Sequence, residues 1–431
     1  MTEKTALISD ISVSNDHQLF SPILKFSNCE VIDTGVIMDH RIGILTGVLM
    51  IIGVLLSGCT SPDKSQPPES IPGPSIIDLE DIAATNSGIV LTDAIGREVT
   101  VPRNITHILC SGPGCMRYLA YIGETKKAVA ADPVERDTQS PPPLPYLVAN
   151  PQIRALPAAG KITDVIEPSQ ITALNPRPDL IILMGDNPQI SADELQRRTG
   201  IPVVVLQDGD LSYRRNAMNY SLRIMGLVLG KSERAEEVIR FFDKVTENLE
   251  ARTSTISDFQ QKKAYIGGYS NPNPEGLYST TSIFIPLRLI SAHNIAEEYG
   301  NQNGLSGPFT IPKEALIRIA PDALFLDMTT WSLKESAVTD IEKSESLKGL
   351  PAVRQGEVYG LLPTSLYGED HESDLMNAYI IGKALYPEKF TDVEPKVMAD
   401  YIYTFLYGEP IFEEINKNYG GMALSRIPLF T

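Results

Sequence analysis

Side chains able to break bonds or hold a bare metal ion are few here, and badly spaced for either task. The cysteines are Cys29, Cys59, Cys110 and Cys115, with no CxxC pair of the kind that builds a structural zinc site. Past residue 59 the histidines are His107, His293 and His371, none in HxH or HExxH spacing. There is no GxSxG elbow, no Walker A loop and no GxGxxG after a strand. With so few soft ligands, a metal is expected to arrive already wrapped in a chelator, and no resident metal or cofactor is expected. The 54 Asp and Glu leave one enzyme alternative open, a secreted hydrolase whose paired carboxylates carry no sequence mark.

The chain is better furnished for binding. Ligands of open α/β sheets sit at the carboxyl ends of strands, which selects Ser111, Gly112, Pro113 and Gly114 with the following Cys115, Met116 and Arg117. Glycines there let the N–H groups of a helix start face an anionic ligand. Asp186, Tyr213 and Arg214 hold comparable positions after later strands. Further on, Tyr269 opens a Gly- and Asn-rich loop that continues through Tyr278, Ser279 and Thr280. Trp331, the only tryptophan, is either a platform for a flat ligand or a partly buried core residue. Tyr367, Glu369, Asp370 and His371 form a polar loop; His371 is either an iron ligand or an exposed loop histidine, and the exposed reading is preferred. Cys110 and Cys115 flank one turn, which leaves a disulfide and two thiols both open.

Strands alternating with helices must position these residues, which predicts parallel sheets. A weak internal repeat organises them. Glu167–Leu183 and Ile311–Leu326 each read as a short helix, a Pro-Asp break and an apolar strand; proline ends the helix because it has no N–H to donate and clashes with the preceding turn. Between the copies, Arg215–Leu229 and Ser232–Leu249 carry apolar residues three and four apart, with Ser232 expected to cap the second helix. The expected fold class is α/β, with two similar lobes, each a mainly parallel sheet flanked by helices, bridged by a long connecting helix. The first lobe is expected over residues 88–213, the connecting helices over 214–258 and the second lobe over 259–392. Residues 393–431 read as a helical extension that packs on the second lobe.

The N-terminal region reads as an address. The uncharged apolar run Ile42–Leu56 follows Arg41 and precedes Ser57, Gly58 and Cys59. It is shorter than the roughly 20 residues of a spanning helix, and small residues close it, as in a secretory signal. Leu56-Ser57-Gly58-Cys59 resembles the lipobox of prokaryotic lipoproteins, which implies lipidation of Cys59; an uncleaved membrane anchor is the alternative. Translation is expected to start at Met38, residues 1–37 being either a misplaced start or a cytoplasmic extension. Residues 60–87, opening with a Pro- and Ser-rich stretch, read as a flexible tether.

Four segments in order carry a more specific resemblance: Leu91–Val99 before a proline, Glu167–Leu183, Leu229–Glu236, and Leu347–Tyr359. Over roughly residues 88–392 the chain resembles the periplasmic binding proteins for iron–siderophores, haem and cobalamin. The resemblance implies a receptor that takes an iron chelate, or alternatively a corrinoid or haem, in a cleft between lobes. It implies delivery to an ABC permease with its ATPase subunits, by a monomer tethered outside the cytoplasm. It also implies one permease-docking carboxylate per lobe, Asp193 or Glu194 in the first and Glu335 or Asp340 in the second. The formal charge of −17 argues against nucleic acid as a partner.

Overall fold

The computed structural model describes residues 84–85, 88–137, 144–158, 167–185, 190–269, 276–331 and 336–429. The expectations for the export signal, Cys59 and the tether up to residue 83, and for Asp186 and Glu335, lie outside the described residues.

Strands that are apolar on both faces become central parallel strands, because helices cover each side of the sheet. In the first lobe these are β4 (Ile108–Ser111), β5 (Ala128–Ala130), β6 (Leu180–Met184) and β7 (Val203–Leu206), parallel in the order β5-β4-β6-β7 and buried along their length. Before them, β1 (Ala84–Thr85), β2 (Gly88–Thr92) and β3 (Glu98–Val101) form a small antiparallel sheet. Asp93 turns that hairpin by accepting the Arg97 N–H, and its other carboxylate oxygen accepts the N–H of Val205 in β7.

The second lobe repeats the plan. β8 (Lys263–Gly267), β10 (His293–Asn294), β12 (Ala323–Asp327) and β13 (Val358–Leu361) are parallel in the order β10-β8-β12-β13, and β14 (Ser425–Arg426) adds an antiparallel edge. A separate pair, β9 (Ser279–Thr281) with β11 (Pro308–Thr310), lies beside it. The internal repeat is real at atomic detail. Asp179 donates its N–H to the His107 carbonyl, and its carboxylate accepts the N–H of His107 at 3.0 Å. Asp322 does the same with Lys263, through its N–H and through its carboxylate at 2.8 Å. Each Pro-Asp break therefore pins the start of the neighbouring strand.

Helices Arg215–Val228 and Ser232–Thr253 follow the first lobe, separated by Gly230 in a left-handed conformation. At 22 residues the second is about 33 Å long. Ser232 does not cap it: Lys231 holds the cap position, with no side-chain cap bond, and Ser232 is already helical. The C-terminal segment is not only helical and does not rest on the second lobe alone. Helix Pro395–Tyr407 stacks Phe405 on Phe241 of the bridging helix at 3.9 Å, and Arg234 of that helix donates to the Phe405 carbonyl. The chain then returns to β14, where Tyr359 pairs with Arg426.

Candidate functional site

The carboxyl end of β4 is shaped by a disulfide and a carboxylate. Cys110 and Cys115 are bonded to each other, closing the turn between β4 and the helix Cys115–Ile122. Gly112 has φ 101°, and a Cβ there would stand 2.3 Å from the Met184 carbonyl oxygen, so only glycine fits. Two donors of this turn are already engaged. Asp132, just past β5, accepts from the Ser111 hydroxyl at 2.8 Å and from the Gly112 N–H at 2.7 Å.

The second lobe reaches into the same place. The segment between β13 and the helix His371–Leu385 crosses to the first lobe, and the Tyr367 hydroxyl donates to Asp132 at 2.7 Å. Glu369 donates its N–H to Asp208, which follows β7, at 2.7 Å. Arg117 is wholly buried and donates to the Glu369 carbonyl at 2.6 Å and to the Asp370 carboxylate at 3.1 Å. Its Nε lies 3.6 Å from Glu372, whose carboxylate also accepts from the hydroxyls of Tyr121 and Tyr407. At the rim, Arg214 pairs with Asp210 and Glu369 at 3.2 Å each.

This crowding of acids displaces their protonation. Burial, then the neighbouring Asp208, pushes Glu369 up to about 7; burial pushes Asp208 up to about 6. Glu135 accepts from the Tyr146 hydroxyl, and burial with Asp132 close by brings it to about 8. Burial pushes Asp327, at the end of β12, up to about 6. Burial, then the Glu369, Asp327 and Asp374 carboxylates, raises the phenol of Tyr269.

The candidate residues meet different fates. Ser111, Gly112 and Gly114 gather with Tyr367 at the lobe–lobe contact, and Pro113 is exposed beside them. Met116 and Arg117 are buried, so Arg117 is a structural cation and not a free hand for a ligand. His371 corrects the exposed-loop expectation. It opens a helix, is 0% exposed, lies 3.0 Å from the Gly209 carbonyl, and burial pushes it down to about 3. Tyr269 is half-buried at the end of β8, its ring edge-on to Phe284. Ser279 and Thr280 are buried in β9, and Tyr278 just before it is half-buried. Trp331 is half-buried against Gly420 of the C-terminal segment.

Tyr213 is exposed and accepts from Arg288 of the second lobe at 2.6 Å, with the guanidinium 4.2 Å above its ring. Both line a groove of about 630 Å³ along the bridging helix, with Arg215, Asp243, Glu250 and Ser282. Of the docking carboxylates, Asp193 is exposed and paired with Arg97, and Glu194 with Arg197. Asp340 accepts the Leu277 N–H at 2.8 Å and so holds the start of the β9 segment. Asp132 and Asp208, which organise the contact, escaped the sequence reading although each follows a strand. The same strand-end rule that selected Ser111 reaches both.

Many solved structures are similar to this chain, among them the following three. The molybdate periplasmic binding protein of a Haemophilus influenzae ABC transporter, bound to molybdate, superposes with a TM-score of 0.58 at 16% identity, over 74% of this chain and 98% of its own. A periplasmic solute binding protein from Veillonella parvula gives 0.58 at 17% identity, over 77% and 96%. An ABC transporter solute binding protein from Sulfurospirillum deleyianum gives 0.56 at 18% identity, over 77% and 99%. At these identities the likeness is one of fold. No curated protein matches the sequence. The sequence profile described as periplasmic binding protein matches residues 108–364, well over half of the chain and reaching from β4 through β13, and the chain therefore belongs to the periplasmic binding protein family.

Proposed function

We propose that this protein is the extracytoplasmic receptor of an ABC importer, capturing an iron chelate between its lobes and handing it to the permease and its ATPases. The observation that carries the reading is the meeting of strand carboxyl ends from two similar sheets, joined at Tyr367 and Asp132. Ligands of parallel sheets bind at such ends. Half-buried Tyr269, beside Glu369, and exposed Pro113 offer apolar and aromatic surface there, which suits a bulky organic chelator better than a bare ion. Among the described residues no three His, Cys, Asp or Glu side chains come together as metal ligands. Lipidation at Cys59 would hold the receptor at the membrane. Asp193 or Glu194 in the first lobe, and Glu335 or Asp340 in the second, are the carboxylates proposed to meet the permease.

Intrinsic fluorescence of residues 60–431, titrated with ferric siderophores, haemin, cobalamin and free iron, tests the reading. Saturable quenching by a ferric siderophore with sub-micromolar affinity and no product is the expected result. A response to cobalamin or haemin alone would move the cargo to a corrinoid or haem. A chelate consumed during the titration would favour a hydrolase.

A further inference from the structure

The carboxylates and guanidiniums at the facing strand ends are unequal in number and in freedom. Asp132, Asp208, Asp210, Asp327, Glu369 and Asp370 stand there against Arg117 and Arg214. Both arginines are spent: Arg117 on Asp370 and on the carbonyls of Tyr367 and Glu369, Arg214 on Asp210, Glu369 and the Asp208 carbonyl. Arg288 keeps its charge, since its partner is the neutral Tyr213 phenol, but it lies in the groove along the bridging helix and not at the strand ends. Arg215 keeps two unbonded nitrogens, but they are buried, and the side chain is paired with Asp243 of the bridging helix. The acids, by contrast, have capacity left. Asp208 Oδ1 and Asp374 Oδ2 are buried with no donor, and the Asp374 side chain is 1% exposed. One backbone donor of the glycine turn, the Gly112 N–H, is taken by Asp132 as well.

We infer that the cargo is a chelate of zero or net positive charge, such as a ferric tris-hydroxamate, and not a polyanionic chelate such as a ferric tris-catecholate. The inference rests on the iron-chelate reading above. A trianion entering this site would find Arg117 and Arg214 already paired with carboxylates and would be repelled by the acids left over. A cation would relieve their mutual repulsion. Across about 10 Å at an effective dielectric of about 20, each added unit of opposite charge changes affinity by roughly 10-fold.

The test titrates the full chain at about pH 8, above the values of about 7 and about 6 at which Glu369 and Asp208 ionise, with three ferric chelates, a cationic tris-hydroxamate, a neutral tris-hydroxamate and a trianionic tris-catecholate, following fluorescence quenching. The hydroxamates are expected to bind at least roughly 10-fold more tightly than the tris-catecholate. The ratio of cationic to trianionic affinity should fall roughly 5-fold or more in Glu369→Gln. Asp208→Asn provides the same reading should the first variant fail to fold. Tightest binding of the tris-catecholate, or a ratio unmoved in a folded variant, would overturn the charge inference and leave the chelate receptor standing. Binding of none of the three would sink the chelate reading itself, and this inference with it.

Discussion

Arg117 is a cation with no exposed side-chain surface, facing Asp370 and Glu372, which are equally buried. Such a group owes its charge to its partners, and removing one side of a buried pair leaves the other without compensation, at a cost of about 3–5 kcal/mol. Arg117→Met should therefore lower the unfolding free energy by about that amount, measured as a shift in the urea midpoint. A loss below about 1 kcal/mol would show that Asp370 and Glu372 need no cation. The raised acids around it carry a second expectation. In the unfolded chain these carboxyls lose their protons near pH 4. In the folded protein Asp208, Glu369 and Glu135 hold theirs to about 6, about 7 and about 8. The folded form thus binds more protons across that window and loses stability as pH rises. His371 acts oppositely: it charges near 6.5 when unfolded and only at about 3 when folded, so its effect is confined below pH 6.5. Stability should consequently fall from pH 6.5 to 8.5, with the later part of the fall missing in Glu135→Gln. A urea midpoint unchanged between those two values would contradict the assignment.

At the scale of elements, much of the fold was legible because its signals are local. Leu180–Met184 and Ala323–Asp327 are strands where the two repeat copies predict them, since runs apolar on both faces have few alternatives to a buried parallel strand. Pro-Asp breaks marked the two lobes because proline cannot continue a helix interior, although it opens helices here at Pro168 and Pro395. What was not legible depends on partners far away in sequence. His371 sits beside Glu369 and Asp370 in a segment as polar as any loop, and nothing local tells that it will be buried with Gly209 and Tyr121 against it and the Arg117 charge near. The C-terminal segment reads as helical from its own periodicity, while its last strand exists only because β13 offers an open edge. Cys110 and Cys115 were an open question for the same reason: spacing permits a bond, and only the turn between β4 and the next helix brings the sulfurs together.

At the scale of the molecule, the two lobes are joined more firmly than a single connecting helix would require. Tyr367 bonds Asp132, Glu369 bonds Asp208, Arg117 holds the Glu369 carbonyl, and Tyr213 meets Arg288. Arg234 of the bridging helix adds a further tie, donating both to the Tyr121 carbonyl of the first lobe and to Phe405 of the C-terminal helix. The Tyr367–Asp132 bond is buried, where water cannot replace it, so its loss strands a desolvated carboxylate, and most of the others are half-buried. Wide hinge opening would break most of them at once. Cargo should therefore enter through rearrangement of loops at the strand ends while the sheets hold their places. Spin labels on Glu98→Cys and Glu314→Cys, exposed residues of the first and second lobes, report this directly in a chain whose Cys29 and Cys59 are serine. The inter-label distance should form one narrow population that shifts by under about 2 Å on cargo binding, the scale of pre-organised recognition. A second, longer population in the cargo-free protein would mean that the lobe contact opens readily, and the Tyr367–Glu369 segment would then be a latch and not a strut.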